Sequence, residues 1–153
     1  MVQSSDRFLE KLLPYLLQRA SFLVTEQFHQ HLKLNGVSVS RWRLLAWLSD
    51  YKRSTINELT DNLMLKQPTV TRLVDAAVKD GLVTKAAGRE DGRRVYVSLT
   101  AAGEKLIEQL KSDASEAEAK IGEIGDLKAI DRLKKNLVEI IDQFEGQKYF
   151  RRS

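Results

Sequence analysis

At 153 residues with 42% hydrophobic side chains, the chain can bury one substantial core divided between at most two small lobes, and its lack of cysteine excludes a disulfide framework or a thiol-based oxidant sensor. Its net charge of +4 is unevenly spread: residues 33–100 hold 12 Lys and Arg against 7 Asp and Glu, a balance of +5, and residues 101–145 hold 7 against 11, a balance of −4. A basic lobe joined to an acidic one points to a polyanionic partner for the first. No N-terminal run pairs a basic start with an unbroken apolar core, and no apolar stretch approaches the ~20 residues that span a bilayer, so a cytoplasmic protein without a membrane partner is expected.

Residues 1–5 are polar. From Arg7 to Leu32, Leu9, Leu12, Leu13, Leu16, Leu17, Ala20, Leu23, Val24 and Phe28 recur at helical spacing. Pro14 would cost ~3 kcal/mol in a straight helix interior, so a short helical turn followed by a break is expected there. Phe8, Leu9, Leu12 and Leu13 offer more apolar surface than their own chain needs, which suggests packing on a second subunit. Asn35-Gly36 stops the helix, and Ser38 caps a second one containing Trp42, Leu44, Leu45, Trp47 and Leu48. Asp50 to Ser54 reads as a connection.

Ser54 or Thr55 then caps a short helix with Ile56, Leu59 and Leu63 on one face, Thr55 forming a capping box with Glu58. After a turn at Met64-Leu65-Lys66, Gln67 is placed as N-cap and Pro68 as the first helical residue. Val70, Leu73, Val74 and Ala77 make one apolar stripe, which leaves Gln67, Thr69, Thr71, Arg72 and Asp75 on the other side. Gly81 ends this helix. Leu82–Lys85 and Val95–Leu99 read as strands around a loop carrying Arg89, Arg93 and Arg94. Helix, turn, helix and a hairpin with a basic tip describe a winged helix-turn-helix, the second helix shaped for a major groove.

The segment Asp91-Gly92-Arg93-Arg94-Val95-Tyr96-Val97-Ser98-Leu99-Thr100-Ala101-Ala102-Gly103 resembles the wing signature of the MarR family of bacterial transcriptional regulators. There an Asp-x-Arg precedes the second wing strand and Leu-Thr begins the next helix. Val37 to Leu45 resembles the second helix of the same family, apart from Arg41, which stands where Gln or Glu is usual and would make any adjoining pocket more basic. Ala76-Ala77-Val78 replaces a common Leu-Glu, and Lys85 replaces a common Arg. The resemblance covers about residues 13–145. It implies that Arg93 enters a minor groove and that Asp91 braces the wing, whereas in isolation the two could simply pair with each other at the surface.

Lys66, Gln67, Thr69, Thr71 and Arg72 can hydrogen-bond base edges or phosphates from the start of the recognition helix, with Arg72 the candidate for a bidentate guanine contact. Arg89, Asp91, Arg93 and Arg94 complete the expected DNA-binding set. The resemblance also implies a small aromatic or anionic effector. Arg19, Phe22, Trp42, Arg43 and Trp47 lie on elements that would line its pocket, where Trp beside Arg suits an aryl carboxylate or an acyl thioester; the alternative is that the tryptophans are core and the arginines solvated. No catalytic residue, metal site or cofactor is expected. His29 and His31, two apart on a helix, point to different faces, and no phosphate loop or nucleophile elbow is present.

Thr100 caps a further helix whose Leu110, Ala114, Ala117, Ile121 and Ile124 form a heptad seam; Gly122 and Gly125 break it. Asp126 caps a last helix with Ile130, Leu133, Leu137, Ile140 and Phe144 as a second seam. These seams and the long first helix favour two chains interlocking their ends over an intramolecular bundle. The expected protein is mainly α with a small β-hairpin wing. Residues 36–100 would be a winged helix-turn-helix DNA-binding domain, and residues 1–35 with 101–153 a helical dimerisation region. Its expected role is that of a homodimeric regulator, a repressor, of double-stranded DNA with a pseudo-palindromic operator. The competing reading is a winged-helix protein-interaction module that never meets DNA; an enzyme has no supporting constellation.

Overall fold

Pro14 decides where the first long helix begins. In the computed structural model, which describes residues 7–88, 94–124 and 126–151, Leu9–Lys11 form one 3-10 turn and Leu12 is extended at φ −79°, ψ 120°. Helix α1 then runs Leu13–Leu34 with the proline in its first two positions, where a missing N–H costs nothing because that group has no intrahelical acceptor. The helix stops at the expected Asn35-Gly36 and closes in a Schellman motif: Gly36 N–H donates to Lys33 O at 3.0 Å and Val37 N–H to Leu32 O at 2.9 Å. Gly36 supplies the required left-handed backbone, φ +68°.

Helix α2 (Val39–Tyr51) starts at Ser38, whose Oγ accepts the Arg41 N–H at 3.2 Å. It ends at Lys52, a non-glycine residue at φ 64°, ψ −47°. The stretch Asp50–Ser54, expected as a plain connection, turns into a strand: β1 (Arg53–Thr55) pairs antiparallel with β3 through Arg53–Ser98, Ser54–Val97 and Thr55–Tyr96. The wing is thus two strands of a three-stranded sheet ordered β1-β3-β2, with β2 spanning Val83–Ala87 and β3 Val95–Leu99.

Helix α3 (Ile56–Leu63) begins with the expected capping box: Thr55 Oγ1 accepts the Glu58 N–H at 3.3 Å, and Glu58 Oε2 accepts the Thr55 N–H at 2.7 Å. Met64 makes the tight exit in a left-handed conformation, φ 56°, ψ 39°. Helix α4 (Gln67–Lys79) has Lys66 at its N-cap position, one residue earlier than expected and without a side-chain capping bond, and Pro68 again sits within the first two positions. It also closes in a Schellman motif, with Gly81 at φ +70° and Leu82 N–H on Ala77 O at 2.9 Å. That hydrogen bond takes Leu82 out of β2, which starts one residue later and runs two residues further than the expected Leu82–Lys85.

Thr100 then joins this helix end to the next element. Its N–H donates to Leu82 O at 3.0 Å, its Oγ1 to Gly81 O at 2.6 Å, and the same oxygen accepts the Gly103 N–H at 3.1 Å, capping α5 (Ala101–Ile124). Helix α5 passes through Gly122 instead of breaking there. Helix α6 (Leu127–Arg151) is capped by Asp126, whose Oδ1 accepts the Lys128 N–H at 3.1 Å.

The chain divides into two compact units, Met1–Ser115 and Glu116–Ser153. The first has one apolar core: Leu44, Leu45 and Leu48 of α2, Leu59 and Leu63 of α3, Val70, Val74 and Ala77 of α4, Val83 and Val97 of the sheet, and Ile107 and Leu110 of α5 are all buried. Each fully covered Leu or Val contributes ~1.5–3 kcal/mol. Leu110, read in the sequence as the head of a heptad seam, therefore belongs to the winged lobe's core. In the second unit Lys134 Nζ pairs with Glu118 Oε1 at 2.5 Å, and the hydrogen bond it donates to that carboxylate, reinforced by the carboxylate's charge, raises the lysine above its ordinary pKa.

Candidate nucleic-acid interface

The candidate interface is built on α4. Burial of Val70, Val74 and Ala77 turns the opposite side of the helix outward, and Lys66, Gln67, Thr69 and Arg72 are all exposed there. Thr71 is half-buried, and its Oγ1 donates to Gln67 O at 3.0 Å, so its hydroxyl proton is turned back into its own helix. Pro68 leaves Thr69 N–H to bond Lys66 O at 2.9 Å. Arg72 has neither a hydrogen bond nor an ion pair among the described residues, leaving its five donors available to an external acceptor.

The two carboxylates of this helix end are held from outside it. Lys85 Nζ of β2 pairs with Asp75 Oδ1, and Arg41 of α2 pairs with Asp80 Oδ2 at 2.6 Å. The second pair corrects the expectation that Arg41 makes a neighbouring pocket more basic, because its charge is matched by Asp80. Together the pairs leave the outward face of α4 with Arg72 and Lys79 as uncompensated charges, the sign that suits a phosphate lattice.

On the wing, β2 and β3 pair from Val83–Leu99 to Ala87–Val95, and Gly88 N–H donates to Arg94 O at 2.8 Å. Arg89, Asp91 and Arg93 lie outside the described residues. Arg94 lines a cleft of about 490 Å³ with Thr55, Ile56, Asn57, Glu58 and Val95, which places it at the start of α3. On the sheet surface the Arg53 guanidinium lies 4.7 Å from the Tyr96 ring centroid, a cation–π contact across β1 and β3. Arg53, Lys85 and Asp75 belong to this surface but not to the expected DNA-binding set. The only signal was register: Asp75 and Lys85 become neighbours once α4 and β2 fold back on each other.

The candidate effector residues fall in several places. Trp42 packs edge-on against Phe28 of α1 with ring centroids 5.1 Å apart. Trp47 stacks on Tyr51 at 3.9 Å, and its Nε1 donates to Ser54 Oγ at 2.9 Å. Arg43 is exposed. Arg19 donates to the Tyr15 hydroxyl at 3.1 Å, and Phe22 is 65% exposed; both sit on α1. The two indoles thus serve different contacts, one on each side of α2.

A model of the MarR family matches residues 35–94, the span from the end of α1 to the wing. The chain is 34% identical over 109 residues to the HTH-type transcriptional repressor IacR of Pseudomonas putida, a match covering 71% of this chain and 65% of that one, just under two thirds of the relative's length. Among solved structures it resembles NadR in complex with 4-hydroxyphenylacetate, with a TM-score of 0.77, 26% identity, and coverage of 92% of this chain and 97% of the other. A MarR family transcriptional regulator from Silicibacter pomeroyi matches with a TM-score of 0.79 and 32% identity, over 89% of this chain and 99% of that one. Identity at that level across practically the whole of the Silicibacter protein, on the same arrangement of helices and wing, means that the chain belongs to the MarR family of transcriptional regulators.

Proposed function

We propose that this protein is a sequence-specific DNA-binding repressor that acts as a homodimer on a pseudo-palindromic operator. The observation that carries the reading is the outward face of α4: an unengaged Arg72 beside exposed Lys66, Gln67 and Thr69, with both nearby carboxylates neutralised by Lys85 and Arg41. A helix presenting cations and amide or hydroxyl groups, with its acids masked, suits base edges flanked by phosphates. Arg94 at the start of α3, together with Arg89 and Arg93 of the wing, extends the contact along the backbone and into the minor groove, while Asp91 braces the wing.

Dimerisation is supported by apolar surface left uncovered in each unit. In the first, Phe8, Leu13, Leu16 and Leu23 are exposed; in the second, Leu133, Ile141 and Phe144 are. Large apolar side chains left exposed in this number suit an interface. A dimer would set its recognition helices about one duplex turn, ~34 Å, apart. Release by a small aromatic or anionic effector completes the reading, with Arg19, Phe22, Trp42, Arg43 and Trp47 as the residues to probe.

The test is to select bound fragments from the protein's own genome and titrate the enriched duplex across salt concentrations. Each neutralised phosphate contributes about −0.9 to the log–log slope, so a steep slope with two half-sites one turn apart is expected. A slope near zero, or a monomer by sedimentation at micromolar concentration, would replace this reading with the protein-interaction module.

A further inference from the structure

We infer that Lys85 is a positioning residue for DNA recognition, which keeps Arg72 available to the duplex by occupying Asp75; the inference rests on the reading of α4 as the recognition helix. Arg72 and Asp75 are three residues apart on one helix, the spacing at which a guanidinium and a carboxylate pair along a helix surface. Yet Arg72 has no partner among the described residues, and the Asp75 carboxylate is held by the Lys85 ammonium from the adjacent strand.

The geometry explains why the strand cation holds the carboxylate. Lys85 is fixed in β2 opposite Val97, in the middle of the β2–β3 register, and only 34% of its side chain is exposed. Its stem is therefore already ordered, whereas pairing within α4 would require Arg72 to give up its conformational freedom. Asp80, the other carboxylate at this end of the molecule, is held by Arg41 and lies eight positions beyond Arg72, too far along the helix to compete for it. Without Lys85, Asp75 would be a lone carboxylate on the groove-facing side. It would draw the Arg72 guanidinium down along the helix axis and would itself repel phosphate.

This role differs from direct phosphate binding by Lys85. A phosphate contact is lost with the lysine whatever stands at position 75, but a positioning role disappears when Asp75 is neutral. Wild type, Lys85→Ala, Lys85→Arg, Asp75→Asn and the Lys85→Ala/Asp75→Asn double variant are titrated against the selected operator, against operators substituted at each symmetric pair of positions, and against random duplex. Lys85→Ala is expected to loosen operator binding on the order of tenfold, within the range for loss of one base-reading arginine. It should also flatten discrimination at the same positions as Arg72→Ala. Lys85→Arg should retain both properties, and Asp75→Asn should restore both to Lys85→Ala. If Lys85→Ala melts early, Lys85→Met, which keeps the apolar stem, carries the same expectation.

Unchanged affinity and discrimination in a folded Lys85→Ala protein would overturn the inference. So would a defect that persists undiminished beside Asp75→Asn with a salt slope shallower by about 0.9, the mark of a direct phosphate contact. In both cases wild type still binds its operator, so the regulator reading stands. Failure of wild type to bind any duplex removes that reading and this inference together.

Discussion

Gly103 faces the carbonyl of Leu82 so closely that a Cβ on it would stand 2.0 Å from the oxygen. The oxygen belongs to the turn ending α4 and the glycine to the first turn of α5, so the start of α5 lies directly against that turn, with the Leu99 side chain alongside. Gly103→Ala should therefore destabilise the fold by at least the ~1–3 kcal/mol typical of overpacking. At ~2–4 °C per kcal/mol for a chain of this size, thermal melting will read it. An alanine variant that melts with wild type would show that the turn yields freely.

Arg72 is the residue expected to read bases. Arg72→Ala should cost ~1–3 kcal/mol on the operator and relax preference at one symmetric pair of positions, leaving affinity for random duplex much less affected. Parallel titration of operator, substituted operators and random duplex checks this. A uniform loss across all of them would reassign the side chain to a phosphate.

Arg93 is expected to act differently, through the width and potential of the minor groove. Arg93→Ala should weaken binding strongly, with its sequence signature in flanking A·T-rich positions. Arg93→Lys should restore only part, because a compact, strongly hydrated ammonium fits a narrow groove less well than a planar guanidinium. Equal affinities of wild type and Arg93→Ala for operator, flank-substituted operator and random duplex would reduce the wing tip to a solvated turn.

Ser54 tests the joint between α2 and the sheet. It is 3% exposed, and its hydroxyl accepts the Trp47 indole N–H. Ser54→Ala leaves that donor half-buried without its acceptor, at a cost of ~1–3 kcal/mol. Chemical denaturation followed by tryptophan fluorescence measures both the loss of stability and any change around the indole. A stability within error of wild type would mean that water replaces the hydroxyl.

Much of the scaffold was legible because its signals are local. The Thr55–Glu58 box, the Ser38 cap, the two glycines that close α1 and α4, and the period-two strand Val95–Leu99 each act within a few residues. Strand β1 was not legible, because three residues with a single buried side chain show no alternation; its partner β3 lies more than forty residues away and defines it. The place of Leu110 was not legible for a related reason. Leu110 fits a heptad as well as it fits a lobe core, and only the packing around it decides between them. On the candidate site, the residue types at the start of α4 could be read from helical spacing. The ion pairs that mask Asp75 and Asp80 join separate elements and have no signature in any one of them.

Lys52 holds a backbone conformation, φ 64° and ψ −47°, that side chains rarely adopt, and such a residue stores on the order of 1–3 kcal/mol of strain. The strain lasts only while the chain is forced to turn from the end of α2 straight into the three-residue edge strand β1. When β1 lifts away from β3, Lys52 relaxes, so the strand's departure recovers that energy. Local opening of the winged lobe therefore starts at this edge, and amide hydrogen exchange in the sheet should be fastest across Arg53–Thr55. Lys52→Gly, which removes the strain, should slow that exchange.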